Sequence, residues 1–384
     1  VPADPTFFLT AAEHSGDALG SALIAALRRR YPNARFVGVG GELMAAAGCQ
    51  LLDNPVKRSA MLVGALFTEF WYWKKLLRRI HDEIATLHPD VVIPIDSSFI
   101  NLRIAADAKR QGLPVCYYVA PQVWASRPWR IKKIKACVDT LCCVLPFEEK
   151  YFHDAGIHAV YVGHPMFDVP LEEESVPLDP PLPIGEPRVA IFPGSRRAEI
   201  DKHMTPMLKI LAQIRGRFPH ASFVAAAPSE ERAWQIRHHL RLANSHVDIR
   251  VGHADALIRW ADLVLVKSGT ATLQVARQAK PMVVLFSVPR YQWAVARHFI
   301  LTPHIALVNI LAGRAIVPEF IPFHGNPTPV ARECLKLLTK EGLRSTMIEE
   351  LRAVVAPLQP REGKLAADRV ADEVQRLIPA SPEA

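Results

Sequence analysis

Residues 90–96, Asp-Val-Val-Ile-Pro-Ile-Asp, decide the fold class: five apolar residues run between two aspartates without polar alternation. Alternation would mark a sheet with one wet face. An unbroken apolar run belongs to a strand covered on both faces, as parallel strands are. The same pattern recurs at 6–12, 35–39, 114–119, 140–144 and 158–162. Between these runs lie stretches of helical spacing. Residues 17–30 place apolar side chains on one face and end in Arg28, Arg29 and Arg30, favourable charges at a helix C-terminus. Residues 42–48 read as a short helix. The pattern restarts with strands at 189–192, 222–227, 247–251, 262–266 and 282–286. Helices fall at about 198–217, 230–243, 254–261 and 270–279, and the tail from 328 is helical. The class is α/β, and 384 residues are too many for one ordinary core. Residues 165–188, rich in proline and acid, read as a linker. The expected organisation is two Rossmann-like domains facing a cleft: 1–168, a linker 169–188, 189–355, and a C-terminal helix within 356–384.

Half the residues are hydrophobic and 22% are charged, a globular rather than a disordered composition. No apolar run approaches the roughly 20 residues of a spanning helix, and the start lacks the charged region of a signal peptide. The six cysteines form no paired C-x-x-C spacing, so metal sites and a disulfide framework are poor readings and reduced cytosolic thiols the better one. The net charge of +8 suits nucleic acid, an anionic membrane or phosphorylated substrates, or solubility alone.

In open parallel sheets ligands bind at the carboxyl ends of the strands, so turns directly after strands are the places to search. After the first strand come Glu13, His14, Ser15, Gly16 and Asp17. Gly16 allows a tight turn, and Ser15 or Asp17 is expected to cap the following helix. No G-x-G-x-x-G is present, which disfavours a dinucleotide cofactor. Asp96 ends its strand with no apolar reason to be there, and reads either as an N-cap or as a general base in the cleft. Gly194, Ser195 and Arg196 form a strand–glycine–helix turn that offers backbone N–H groups and a guanidinium to a phosphate, with Glu199 as surface residue or cap. Ser268, Gly269 and Thr270 repeat that arrangement, and two such loops suit a pyrophosphate. The P-loop pattern is absent.

Residues 61–80 place Phe67, Phe70, Trp71 and Trp73 ahead of Lys74, Lys75, Arg78 and Arg79. The segment reads either as a core helix with a basic end or as an amphipathic, membrane-facing one, and the clustered aromatics favour the membrane. A second cluster, Arg127, Arg130, Lys132, Lys133 and Lys135 with Trp124 and Trp129, is expected to face the same way. No nucleic-acid module surrounds either cluster.

In order, the segments AAEHSGDALG (11–20), PDVVIPID (89–96), YVAPQVWA (118–125), VGHPMFD (162–168), FPGSRRAEI (192–200), KSGTATLQ (267–274) and NILAGRAIVPEF (309–320) resemble the lipid-A-disaccharide synthase family of GT-B glycosyltransferases. The resemblance implies transfer of a diacylated glucosamine from its UDP donor to the 6-hydroxyl of a diacylglucosamine 1-phosphate, with inversion and without metal or cofactor. It places the family's base on Asp96, the loop arginine on Arg196, and the asparagine and arginine of N-L-L-A-G-R on Asn309 and Arg314. It assigns nucleotide to the C-terminal domain and acceptor to the N-terminal one. A cytoplasmic protein, peripheral on the inner face of the bacterial inner membrane and monomeric or homodimeric, follows from it. The expected partners are a UDP-linked acylated sugar, an acylated sugar phosphate and an anionic membrane surface, but not nucleic acid.

The sequence also departs from the family. His14 stands at a position that usually holds a small residue and competes with Asp96 as base. Ser98 replaces an acid. Gln274 replaces the glutamate that GT-B enzymes use on the ribose hydroxyls. These departures keep open a GT-B relative with another UDP-sugar or acceptor, or a UDP-sugar epimerase.

Overall fold

The computed structural model describes residues 4–57, 66–172, 178–360 and 363–378, with the side chains of 66–69, Phe67 among them, outside the description. Two compact units emerge: the chain up to Asp168 together with Leu358 onward, and Val169–Pro357.

The first unit carries seven parallel strands: β1 (Thr6–Ala11), β2 (Arg35–Val39), β3 (Gln50–Asp53), β4 (Val91–Ile95), β5 (Cys116–Tyr118), β6 (Thr140–Cys143) and β7 (Ala159–Tyr161), in the order β3-β2-β1-β4-β5-β6-β7. Both faces are covered, which is why the strands read as unbroken apolar runs. On one face Leu23, Ile24 and Leu27 of helix His14–Arg30 meet Val370, Ala371 and Val374 of helix Ala366–Leu377. Ion pairs Arg29–Asp368 (2.5 Å) and Arg30–Asp372 (2.7 Å) fasten that C-terminal helix to the first one. On the other face helices Leu66–Leu87, Ser98–Arg110, Ile131–Cys137 and Pro146–Asp154 bury Leu76, Ile80, Ile84, Leu102, Ile134 and Phe152. Each such side chain contributes roughly 1.5–3 kcal/mol.

The second unit holds β8 (Arg188–Phe192), β9 (Ser222–Ala227), β10 (Asp248–Val251), β11 (Leu263–Lys267), β12 (Met282–Ser287) and β13 (Glu319–Phe323), ordered β10-β9-β8-β11-β12-β13 and parallel throughout. β3 and β13 are absent from the sequence reading. Both are edge strands, partly exposed, so neither carries the continuous apolar signature. Among the described residues no helix is long and apolar enough to cross a membrane.

Trp124 corrects the sequence reading. It is buried rather than turned outward, and its Nε1 donates to Glu148 Oε1 at 2.9 Å. The other carboxylate oxygen accepts from the N–H groups of Leu145 and Val144. Burial nevertheless pushes the Glu148 carboxyl up from its ordinary 4.5 to about 7. The folded state therefore holds a proton that the unfolded chain has released. That contribution to stability is full below pH 4.5 and lost as pH rises through 7. Across this window it amounts to about 3 kcal/mol. Glu148→Gln is expected to flatten that part of the stability–pH curve, while lowering overall stability because an amide nitrogen cannot accept from Leu145. Urea unfolding of both proteins at pH 5 and pH 8 measures the difference. Parallel slopes would contradict the assignment.

Candidate functional site

In each unit the turns singled out by sequence leave the sheet side by side at the point where strand order reverses, the position at which open α/β sheets hold ligands. In the first unit β1 and β4 are neighbours with Ala11 paired to Ile95. In the second, β8 and β11 are neighbours with Phe192 paired to Val266.

The turn after β4 is the most constrained. Asp96 (φ 54°) and Ser97 (φ 41°) are both left-handed, an uncommon state for residues with a Cβ that clusters at functional sites. Buried Asn101 holds it: its amide donates to the carbonyls of Ile95 (2.7 Å) and Asp96 (2.9 Å), and its oxygen accepts from Thr10 Oγ1 (2.9 Å). Tyr117 Oη also donates to the Asp96 carbonyl at 2.6 Å. Ser97, not Asp96, is the N-cap residue of helix Ser98–Arg110, so the capping alternative for Asp96 falls away. No hydrogen bond or ion pair engages the Asp96 carboxylate among the described residues. Asp96 and Ser98 line a pocket of about 280 Å³ with Val119, Ala120, Pro121 and Gln122. Ser98 Oγ accepts from Arg130 at 3.1 Å.

The turn after β1 presents Glu13, His14 and Ser15 to solvent. Gly16 sits so close to β1 that a Cβ there would lie 3.2 Å from Ala11 Cβ. One expectation fails here: neither Ser15 nor Asp17 caps the helix, whose N-cap residue is Glu13 without a side-chain bond. Asp17 is drawn inward instead. It is 2% exposed, and its carboxylate accepts from the N–H groups of Gly41 (2.8 Å), Met44 (3.0 Å) and Leu43 (3.1 Å), fastening helix Glu42–Ala46. Gly41 is required because a Cβ would meet that carboxylate at 2.3 Å.

In the second unit Gly194 (φ 126°) and Gly269 (φ 154°) make the two turns. The N–H groups of Ser195 and Arg196, expected to be open to an anion, are bonded to Glu199 Oε2 at 3.1 and 3.4 Å. Glu199 Oε1 accepts from Lys267 Nζ at 3.0 Å, so this half-buried pair ties the two loops together. Burial pulls the Glu199 pKa up, but the Lys267 hydrogen bond and charge with the two N–H groups outweigh it and hold the carboxyl below its ordinary value. Arg196 itself is exposed at the rim with Ser195 and Thr270, while Ser268 and Gly269 are half-buried.

Asn309 also departs from expectation. It is fully buried; its Oδ1 accepts from Ile316 N (2.8 Å) and Val317 N (3.0 Å), and its Nδ2 donates to Val317 O (3.0 Å). It staples the 313–317 turn, and burial closes its side chain off from solvent. Arg314 is exposed and pairs with Glu350 at 2.7 Å. Gln274 donates to Asp255 Oδ1 at 2.9 Å, which fixes its amide and leaves its oxygen as the acceptor. Sequence reasoning missed Asn101, Tyr117 and Asp255, and quoted Lys267 at the head of its turn without its tie to Glu199; their partners Thr10, Asp96, Gln274 and Glu199 lie in other elements or turns.

Helix Leu66–Leu87 divides its predicted face. Phe70, Trp71, Lys74, Lys75 and Arg78 are exposed, and Lys74 lies over the Trp71 ring. Trp73 packs on the core instead, and Arg79 turns to β3, donating to Leu52 O at 3.0 Å. Residues 61–65 lie outside the described ones. Among the described residues no three His, Cys, Asp or Glu side chains gather as a metal site requires.

Comparison with known proteins places these loops in a family context. The family model described as Lipid-A-disaccharide synthetase matches residues 7–370. A lipid-A-disaccharide synthase of Anaeromyxobacter dehalogenans is 35% identical over 371 residues, 95% of this chain and 96% of its own. Among solved structures, the UDP co-structure of MnaA from S. aureus superposes with a TM-score of 0.63 at 14% identity, covering 97% of this chain and 95% of its own. MurG of Acinetobacter baumannii gives 0.56 at 13%, covering 97% and 99%. At such identities these structures speak for the fold alone, and that fold is GT-B.

Proposed function

The chain belongs to the lipid-A-disaccharide synthetase family, and from that premise we propose that it joins UDP-2,3-diacylglucosamine to 2,3-diacylglucosamine 1-phosphate with inversion and without a metal. The observation that carries the reading is the Asp96 turn: a carboxylate on a pocket wall, without a partner among the described residues and held in a left-handed backbone by Asn101 and Tyr117. Asp96 takes the proton of the acceptor 6-hydroxyl as that oxygen attacks the anomeric carbon. The bond from the anomeric carbon to the diphosphate breaks on the opposite face and UDP leaves. Arg196, with the Ser268–Thr270 turn, stabilises the departing diphosphate. The fixed amide oxygen of Gln274 accepts from the ribose. Glu13, His14 and Ser15 contact the acceptor, and Arg314 lies at the donor side. The first unit takes the acceptor and the second the nucleotide; a neighbour of the same fold, MnaA of S. aureus, is a UDP co-structure. Acyl chains on both substrates call for work at a membrane, with Phe70, Trp71, Lys74, Lys75 and Arg78 turned to an anionic leaflet on the cytoplasmic side.

UDP release by the purified protein, with both substrates dispersed in detergent and a chelator present, tests the reading. Release is expected only when donor and acceptor are both supplied. Release from some other UDP-sugar, with the acylated donor ignored, would defeat it.

A further inference from the structure

On the flank of the first unit, helices Leu66–Leu87 and Ser98–Arg110 enclose a groove of about 240 Å³ whose polar lining is Arg78, Arg103, Arg110, His81 and Asp107. Three guanidinium groups therefore face one carboxylate. That carboxylate is already committed: Asp107 accepts from Arg110 (2.6 Å) and Gln111 (3.2 Å) and pairs with His81 (2.8 Å). No acidic side chain among the described residues pairs with Arg78 or Arg103, and Arg103 lies over the Phe99 ring at 4.7 Å. The next helix, Ile131–Cys137, adds Lys133 to the same field. Burial first, then the charges of Arg103, Arg130 and Arg110, outweigh the opposing effect of Cys137 and hold its ammonium below its ordinary pKa. Large aromatics stand exposed on the same layer of helices: Trp71 at 62%, Phe99 at 59% and Trp129 at 60%.

The groove is separate from the Asp96 pocket. Helix Ser98–Arg110 begins beside Asp96 and rises about 1.5 Å per residue, which sets Arg103 and Arg110 roughly 7 and 18 Å along it. We infer that this groove is a phosphate-headgroup site for an anionic glycerophospholipid, seated while Trp71, Phe99 and Trp129 enter the membrane interface. Charge complementarity selects the phosphate, and interfacial aromatics select a lipid as its source. The inference rests on the membrane-surface reading above and gives it one defined contact.

The test is co-sedimentation of the full chain with phosphatidylcholine vesicles, with and without about one-third phosphatidylglycerol. Arg78→Gln with Arg103→Gln is compared with Lys209→Gln plus Arg241→Gln, an equal loss of charge from the second unit. A basic side chain near an anionic surface is worth about five-fold in partitioning. The groove variant is expected to bind the anionic vesicles about 25-fold more weakly, the other variant within two-fold of wild type. Thermal unfolding confirms that both are folded. Equal losses in the two variants, or none in the first, would overturn the site. So would displacement by sub-millimolar inorganic phosphate, which would make it a site for a soluble anion. A wild-type chain that ignores the anionic vesicles would remove the membrane reading as well. Failed UDP release with vesicle binding intact would count against the transferase reaction and leave the groove standing.

Discussion

Asp96→Asn is expected to lower kcat by roughly 10²–10⁴-fold, the contribution of a positioned general base, while leaving KM for the donor and the unfolding temperature near their wild-type values. Asparagine is the informative replacement because it tolerates the left-handed backbone as aspartate does. It also keeps the main-chain carbonyl that Asn101 and Tyr117 hold. Alanine would relax the turn and confuse loss of a proton acceptor with loss of geometry. Wild-type kcat in Asp96→Asn would shift the base role to His14, exposed on the neighbouring turn, and His14→Gln would then carry the loss.

Why some of this was visible in sequence and some was not follows from the range of the interactions. A buried parallel strand is a local pattern, so β1, β2, β4 and β9 stand out in the sequence within a residue or so. The switch-point turns were legible for the same reason, since Asp96, Gly194 and Gly269 each end an apolar run. What holds those turns was not. Asn101 reads as an ordinary helix residue until its amide meets the carbonyls of Ile95 and Asp96 and its oxygen meets Thr10, 91 positions away. Asp17 looks like a first-turn acid and is a buried tie to a different helix. Glu199 reads as a surface residue or a cap; it is the cap, and in that role it occupies the N–H groups that a glycine turn advertises to a phosphate. Sequence marks where polar residues break an apolar rhythm. It does not tell whether the break faces a ligand or another part of the chain.

Asn309 is where that ambiguity has its largest measurable consequence. Asn309→Ala is expected to abolish activity by loosening the second unit rather than by removing a ligand contact. The side chain makes three hydrogen bonds, to the N–H groups of Ile316 and Val317 and to the Val317 carbonyl. Truncation strands all three groups in a buried site, at about 1–3 kcal/mol each. With some relaxation the total is roughly 3–5 kcal/mol. For a unit of this size, each kcal/mol moves the midpoint by about 2–4 °C, so its unfolding transition should fall by roughly 10 °C. The transition of the first unit should stay in place. Saturating UDP should restore part of the loss, because a ligand of the native state stabilises by mass action. An unchanged midpoint with UDP binding gone would mean that Asn309 turns outward to meet the nucleotide, and the staple assigned to it would be wrong.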